Sequence, residues 1–383
     1  MKVKLIICMT CLMAPVFTVQ VFGQDATFTG DVEKVKVIST LTDHPGAPKV
    51  LIPHIVEWKA NHLVVAYEVG IAGKTDMGDI VSLVSTNDGD TWGGQVMIFD
   101  HREKHGVKHY AYANPILYKI PGQNLLWCFA MRNPLYQRNS EESQMVAAYS
   151  GDGGRSWNEV ELIMHYAGSL VLAGNVLQIM EDQGEIWYLL PAHRNAVSNG
   201  PVGGNREHFV LKSKNLLEWE VAGYIPQPDD VWVHEGHIAP GEKAGELIMV
   251  MRTADHANQA LSTPRAWSSK STDFGRTWSY PKEEPELYNA VSEAAFGKTV
   301  SGTYYYIYND GPAKGVDSRQ ALRYKVKRKG GAWSGEKTFY DSGTKNSYPS
   351  VIEVKPGELR IVWDSGTRAE TRTQIVFGKL RME

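Results

Sequence analysis

Apolar and polar positions alternate along this chain in short bursts, and the bursts come in pairs. An apolar strand, a turn and a second apolar strand recur as His54-Ile-Val-Glu-Trp to Leu63-Val-Val-Ala-Tyr and as Pro115-Ile-Leu-Tyr to Leu126-Trp-Cys-Phe. Further copies run from Val176-Leu-Gln-Ile to Ile186-Trp-Tyr-Leu, from Ile238-Ala-Pro to Leu247-Ile-Met-Val, from Ala295-Phe-Gly to Tyr304-Tyr-Tyr-Ile and from Val351-Ile-Glu-Val to Leu359-Arg-Ile-Val. Equivalent positions lie 55 to 63 residues apart, enough for a four-stranded antiparallel unit with one longer loop. Gly122, Gly184, Gly245, Gly302 and Gly357 fall in the turns, as hairpins between β-branched and aromatic strands require. No helical periodicity longer than two turns competes. Six copies predict an all-β chain folded as a six-bladed β-propeller with four-stranded antiparallel blades.

A second periodic signal falls between these pairs: Ser85-Thr-Asn-Asp-Gly-Asp-Thr-Trp, Ser150-Gly-Asp-Gly-Gly-Arg-Ser-Trp and Ser271-Thr-Asp-Phe-Gly-Arg-Thr-Trp, with weaker relatives at Ser213–Trp219 and Tyr324–Trp333. Asn87, Asp152 and Asp273 are placed to accept backbone N–H groups in a tight turn, Gly89, Gly154 and Gly275 to adopt positive φ, and the tryptophan to pack into the blade. This is a folding device and carries no chemistry. In these boxes, in register with the strand repeats, the sequence resembles the Asp-box (BNR) repeat proteins of the sialidase (neuraminidase) superfamily over nearly all of the chain beyond its leader.

Composition changes the picture at one end only. Lys2 and Lys4 precede an apolar run from Leu5 to Met13, which reads as a secretory signal over residues 1–23, leaving a single propeller domain over 24–383. Pro15 and Gln20 break the run short of the ~20 residues a spanning helix needs, so no membrane attachment is expected after signal removal. Cys8 and Cys11 leave with the signal, and Cys128 alone cannot form an internal disulfide. The chain carries a formal net charge of −3 before Lys2 and Lys4 are lost, which argues against nucleic acid. The expectation is a secreted or periplasmic monomer.

Chemistry in a repeat fold sits on the rim of the central channel. The first strands of the copies present Leu51 with Ile52, Asn114, Gly174 with Asn175, Glu235, Glu293 and Tyr348. The ends of the second strands present Glu68, Arg132, His193 with Arg194, Arg252, Asn309 with Asp310, and Asp364. The ring is polar and rich in arginine. Its spacing is similar to that of exo-α-sialidases, and the resemblance implies Glu235 as the base that polarises the nucleophile, Tyr348 as that nucleophile and Asp76 as acid/base, with Asp79 its rival. It also implies Arg252 and Arg319 as carboxylate-binding residues, Arg323 standing behind Arg319. A neutral phenol suits a sugar whose anomeric carbon bears a carboxylate, because an anionic nucleophile would be repelled.

One departure stands out. The resemblance calls for Arg-Ile-Pro at the start of the first blade, and the chain has Leu51-Ile52-Pro53. Arg132, Arg194 or His54 are the candidates to replace the missing cation. His101, His105 and His109 read as a solvated loop, and His234-Glu-Gly-His237 is one residue short of a helical zinc motif, so neither a metal nor another cofactor is expected. The function implied is hydrolysis of terminal sialic acid or a related acidic sugar from a glycan. The alternatives are a lyase on uronate-containing polysaccharide, using His54, His193 or Tyr110, and a silent carbohydrate-binding propeller.

Overall fold

A computed structural model describes residues 30–106, 108–138, 140–166, 169–181, 184–194, 207–229, 231–255, 265–289, 292–312, 318–367 and 372–382. The expected signal segment lies outside them. The described residues form an all-β, propeller-like arrangement of small antiparallel sheets, and their helix is one 3-10 turn at Leu41–Asp43. None of their helices is long and apolar enough to cross a membrane.

Antiparallel meanders follow one another along the chain. The first comprises Val50–Lys59, His62–Gly70, Gly78–Ser85 and Gly93–Phe99, and the second Lys108–Lys119, Leu126–Pro134, Gln144–Ser150 and Asn158–Val160. The third places Val171–Leu172 and Leu177–Met180 against Ile186–Arg194, then Glu207–Ser213 and Glu218–Ile225. Val231–Pro240, Leu247–Asp255, Arg265–Ser271 and Lys282–Tyr288 make the fourth, and Ala295–Lys298, Tyr304–Asn309, Leu322–Lys327 and Lys337–Tyr340 the fifth. The last combines Asn346–Lys355, Glu358–Ser365 and Gln374–Arg381 with the N-terminal strand Glu33–Thr40 as its outer edge. Counted by hydrogen bonds these are five sheets rather than six, because a bridge between Gly78 and Tyr112 joins the first two meanders into one nine-stranded sheet.

Burial follows the junctions between neighbours. Val64, Ala66 and Ile80 of the first meander pack on Leu117, Leu126 and Cys128 of the second, and Phe129 packs with Leu190 and Trp219 of the third. Leu189 and Val210 meet Val233 and Met249 of the fourth, which in turn brings Val250 to Phe296 and Tyr306 of the fifth. Ile307 and Leu322 then meet Ile361 and Trp363, and Val362 and Phe377 of the last meander meet Val65 and Tyr67 of the first.

The boxes fold as expected. Ser85 Oγ accepts the Gly89 N–H at 2.8 Å, Asn87 Oδ1 accepts the Thr91 N–H at 2.9 Å, and Trp92 Nε1 donates to Gly89 O at 3.1 Å. A side chain at Gly89 (φ 83°) would meet the Phe377 ring at 2.3 Å, so this turn is also where one meander seats on the next. Of the weaker relatives, Ser213–Trp219 keeps the same bonds, with Leu216 at φ 64° in the glycine position and Trp219 Nε1 donating to its carbonyl at 3.0 Å, whereas at Tyr324–Trp333 the tryptophan lies on a bridge to Lys327.

Candidate active site

The inner strands do not run straight. The pairing slips between Leu51 and His54, between Ala113 and Ile116, between His234 and His237, and between Ser347 and Ser350. Each slip is a β-bulge that holds one residue at positive φ: Ile52 (49°), Asn114 (51°), Glu235 (48°) and Tyr348 (52°). A second set lies just before third strands, where Asp76 (46°), Arg319 (55°) and Arg372 (75°) precede Gly78, Leu322 and Gln374. All of these residues line one cavity of about 400 Å³. Left-handed backbone is costly for residues other than glycine, and its concentration at one cavity marks a site whose side-chain directions the fold enforces.

Four arginines enter the cavity, Arg138, Arg252, Arg319 and Arg372, together with the carboxylates Asp76 and Glu235. Arg252 Nη1 donates to Glu235 Oε2 at 2.7 Å and to the Tyr348 hydroxyl at 3.3 Å, so one guanidinium ties the two together. The Arg319 and Arg372 guanidinium groups lie 5.6 and 5.4 Å from the centre of the Tyr348 ring. Arg372 Nη1 donates to Asp76 Oδ1 at 2.9 Å, and Arg138 donates to Asp76 Oδ2. Below the ring, Leu51 and Ile52 form a small apolar bed.

The electrostatics separate the acidic groups. Burial, reinforced by Glu235, raises the Tyr348 phenol above its ordinary range against the pull of three arginines, so it rests neutral. Burial also pushes Asp76 upward, but Arg372, Arg138 and Lys49 outweigh it and hold the carboxyl below its usual value. Arg319 is lowered by burial, with Arg372 and Arg252 beside it.

Beneath this layer sits Glu68, opposite Leu51 in strand register, fully buried, with neither carboxylate oxygen finding a hydrogen-bond partner among the described residues. Burial, with Asp76 adding to it, pushes its pKa well above the usual range despite Arg372, Arg138 and Lys49. A carboxyl whose folded pKa is raised contributes fully to stability below its unfolded pKa, and that contribution is lost as pH rises toward the folded pKa. Glu68→Gln therefore has the melting temperature of the parent at about pH 4 and a progressively higher one as pH rises above the ordinary glutamate range, where the parent must keep a buried carboxyl protonated. Equal pH dependence of the two melting curves would show that Glu68 is not a buried neutral acid.

Asp76, Glu235, Tyr348, Arg252 and Arg319 thus converge on one cavity. The three expected replacements for the missing cation do not. Arg132 stacks 4.5 Å over Tyr110 and donates to Gln144, and Arg194 pairs with Glu141; neither lines the cavity. His54 lies deeper on the axis, where its Nδ1 accepts the Leu117 N–H at 3.3 Å, and burial beside His237 lowers its pKa to about 4, so it carries no charge at neutral pH. The cavity's other two cations are Arg138 and Arg372, neither of which was anticipated from the sequence, and Arg372 comes from the last meander, at the opposite end of the chain from Asp76. The available signal was positional, since Arg372 precedes its strand as Arg319 and Asp76 precede theirs. Asp79 bonds to His101 and Arg323 pairs with Asp310, both outside the cavity. Of the alternative acid/base residues, His193 lines the cavity and Tyr110 does not.

A family model described as a BNR repeat-like domain matches residues 61–361. Among solved structures, the Hadza microbial sialidase Hz136 superposes with a TM-score of 0.70 at 16% identity, covering 91% of this chain and 68% of that one. A leech intramolecular trans-sialidase superposes at 0.68 with 12% identity, covering 91% and 70%. A protein of unknown function from Dyadobacter fermentans DSM 18053 superposes at 0.66 with 14% identity, covering 93% and 99%. At these identities the likeness is one of fold. No curated protein matches the sequence.

Proposed function

The chain belongs to the BNR repeat-like family of the sialidase superfamily, and from that premise we propose a six-bladed propeller that hydrolyses a terminal acidic sugar, sialic acid or a relative, from a glycan. The six-blade count rests on the antiparallel meanders and on the apolar cluster between each pair of neighbours, last to first included. The catalytic proposal rests on one observation: a neutral buried phenol, tied to a carboxylate by Arg252, stands in a cavity where four arginines face two carboxylates. That surplus of positive charge favours an anionic ligand, and guanidinium groups hold carboxylates through paired hydrogen bonds. Arg252 and Arg372 each retain a buried Nε–H without a partner among the described residues.

In this mechanism the sugar carboxylate engages Arg252, Arg319 and Arg372. Glu235 takes the Tyr348 proton as the phenolic oxygen attacks the anomeric carbon, forming a glycosyl-tyrosine and expelling the leaving group. Asp76 supplies the proton to that departing oxygen and then takes one from the water that cleaves the intermediate. Drawing Arg372 toward the substrate carboxylate weakens its hold on Asp76 and raises the Asp76 pKa, so a larger fraction of Asp76 carries the proton that the leaving oxygen needs. An exported protein of this kind would act on extracellular or periplasmic glycans.

The test is product analysis on a fluorogenic α-sialoside and on a uronate-containing polysaccharide. Hydrolysis releases a free reducing sugar with no ultraviolet absorbance from an unsaturated ring. Appearance of that absorbance on the polysaccharide would make the protein a lyase, and binding of either glycan without products would make it a lectin.

A further inference from the structure

The mechanism above gives Glu68 no part, yet its place is unusual for a carboxyl. Its strand neighbours are Leu51 on one side and Ile80 on the other, it is fully buried, and neither oxygen finds a partner among the described residues. The segment that carries Asp76 closes directly on it: a Cβ on Gly78, two residues beyond Asp76, would lie 3.0 Å from Glu68 Cγ. The charged groups that act on Glu68 are Asp76, Arg372, Arg138 and Lys49. Arg372 in turn is acted on by Asp76, Tyr348, Asp364 and Glu68. Asp364 is occupied, accepting the Ile52 N–H at 3.1 Å and the Ser347 hydroxyl. The Arg372 Nε–H is buried and, like the Glu68 oxygens, has no partner among the described residues. A buried acceptor and a buried donor left unpaired near one another are costly unless another state of the site joins them.

The bonds to Asp76 indicate which state that is. Arg372 holds Asp76 Oδ1 at 2.9 Å, and Arg138 holds Oδ2. If a ligand carboxylate draws Arg372 away, Oδ1 is the atom left open to a proton while Arg138 stays on Oδ2. We propose that Glu68 stores the proton Asp76 needs: as an anionic sugar draws Arg372 off Asp76 Oδ1, Glu68 loses its O–H proton and accepts the Arg372 Nε–H, and Asp76 Oδ1 gains a proton. One O–H bond breaks and one forms, Arg372 exchanges Asp76 for Glu68 and the sugar carboxylate, and the site draws no net proton from solvent. The proposal rests on the glycosidase function above and makes Glu68 a positioning residue, acting through Arg372 and Asp76 rather than on the sugar. Its consequence is a wider pH range. In the resting site Glu68 keeps its proton well above the usual carboxyl range, whereas Asp76 is held below its own. With the exchange, kcat/KM is lost only as pH rises far enough to deprotonate Glu68; without it, the loss begins where Asp76 alone deprotonates.

The experiment measures kcat/KM on the fluorogenic α-sialoside across the pH range for wild type, Glu68→Gln and Glu68→Asp. Glu68→Gln keeps the shape of the side chain and is no less stable than the parent, so a lower rate does not report unfolding. Its alkaline limb moves to lower pH by at least about one unit, and at pH above both limbs kcat/KM falls about tenfold for each unit of that shift. Below both limbs the two proteins turn over alike. Glu68→Asp, which retains a carboxyl, recovers most of the lost range. An unmoved limb in Glu68→Gln, or an equal loss at every pH, overturns the exchange while leaving the glycosidase function standing. Absence of turnover by wild type removes that function, and the exchange with it.

Discussion

Tyr348→Phe reduces release of the acidic sugar by roughly a thousandfold or more, the loss expected when a nucleophile is deleted from a site whose other groups act only through it. The ring keeps its bed on Leu51 and Ile52, so the melting temperature changes little. What disappears is the hydroxyl, and with it the 3.3 Å bond from Arg252, whose stronger bond to Glu235 at 2.7 Å remains. Affinity for the free acidic sugar is therefore nearly unchanged, because the arginines that hold the carboxylate are intact. The combination separates chemistry from binding. Retention of substantial activity by the phenylalanine variant would remove Tyr348 as nucleophile, whereas loss of sugar binding as well would show that the ring shapes the site rather than reacts in it. Glu235→Gln is expected to follow the same pattern, since its role is to take the phenolic proton.

The strand repeats and boxes were legible in the sequence because each relies on local rules: alternation on a pleated strand, and a hydrogen-bonded turn with its own tryptophan. The inner-rim residues were legible too. Asn114, Glu235 and Tyr348 stand at the start of apolar strands, and the fold places them on bulges that turn them toward the cavity. Proline follows the bulge residue in three of these strands, at Pro53, Pro115 and Pro349, a local mark of the same device. Ring closure was not legible. Arg372 and Asp76 are 296 residues apart in sequence, and the register that brings their side chains to 2.9 Å is set by the last meander seating on the first. The same long-range packing explains why Arg132 and Arg194 were misread. Both end a second strand, as Arg252 does, yet Arg132 lies over Tyr110 and Arg194 turns to Glu141 on the outer rim. Spacing identifies the strand end but not the direction of a long flexible side chain. Glu68 was visible as a polar residue in an apolar strand, while its lack of partners depends on Leu51 across the strand pair and on the arginines being occupied with Asp76.

Arg372→Gln tests whether a residue from the last meander has taken over the work of the cation missing at Leu51. The guanidinium is buried, its Nη1 engages Asp76 and its Nε has no partner among the described residues, so it combines a held position with donor capacity for a ligand. Losing one charged hydrogen-bonding contact to a carboxylate costs about 1.5–3 kcal/mol, or roughly tenfold to a hundredfold in affinity for the acidic sugar. Affinity for the carboxamide analogue of that sugar, which lacks the charge, falls much less. The pH profile moves independently of affinity. Arg372 is one of the groups that hold the Asp76 carboxyl below its ordinary value, so its removal raises that pKa and keeps Asp76 protonated to higher pH. As Asp76 acts as the acid in the first step and Arg372 holds it in the substrate-free site, the alkaline limb of kcat/KM, which reports the free enzyme, shifts to higher pH even as KM worsens. A purely structural arginine predicts neither the carboxylate-specific loss nor the shift of that limb, and a variant with parental KM and pH profile would return Leu51 to being an uncompensated loss.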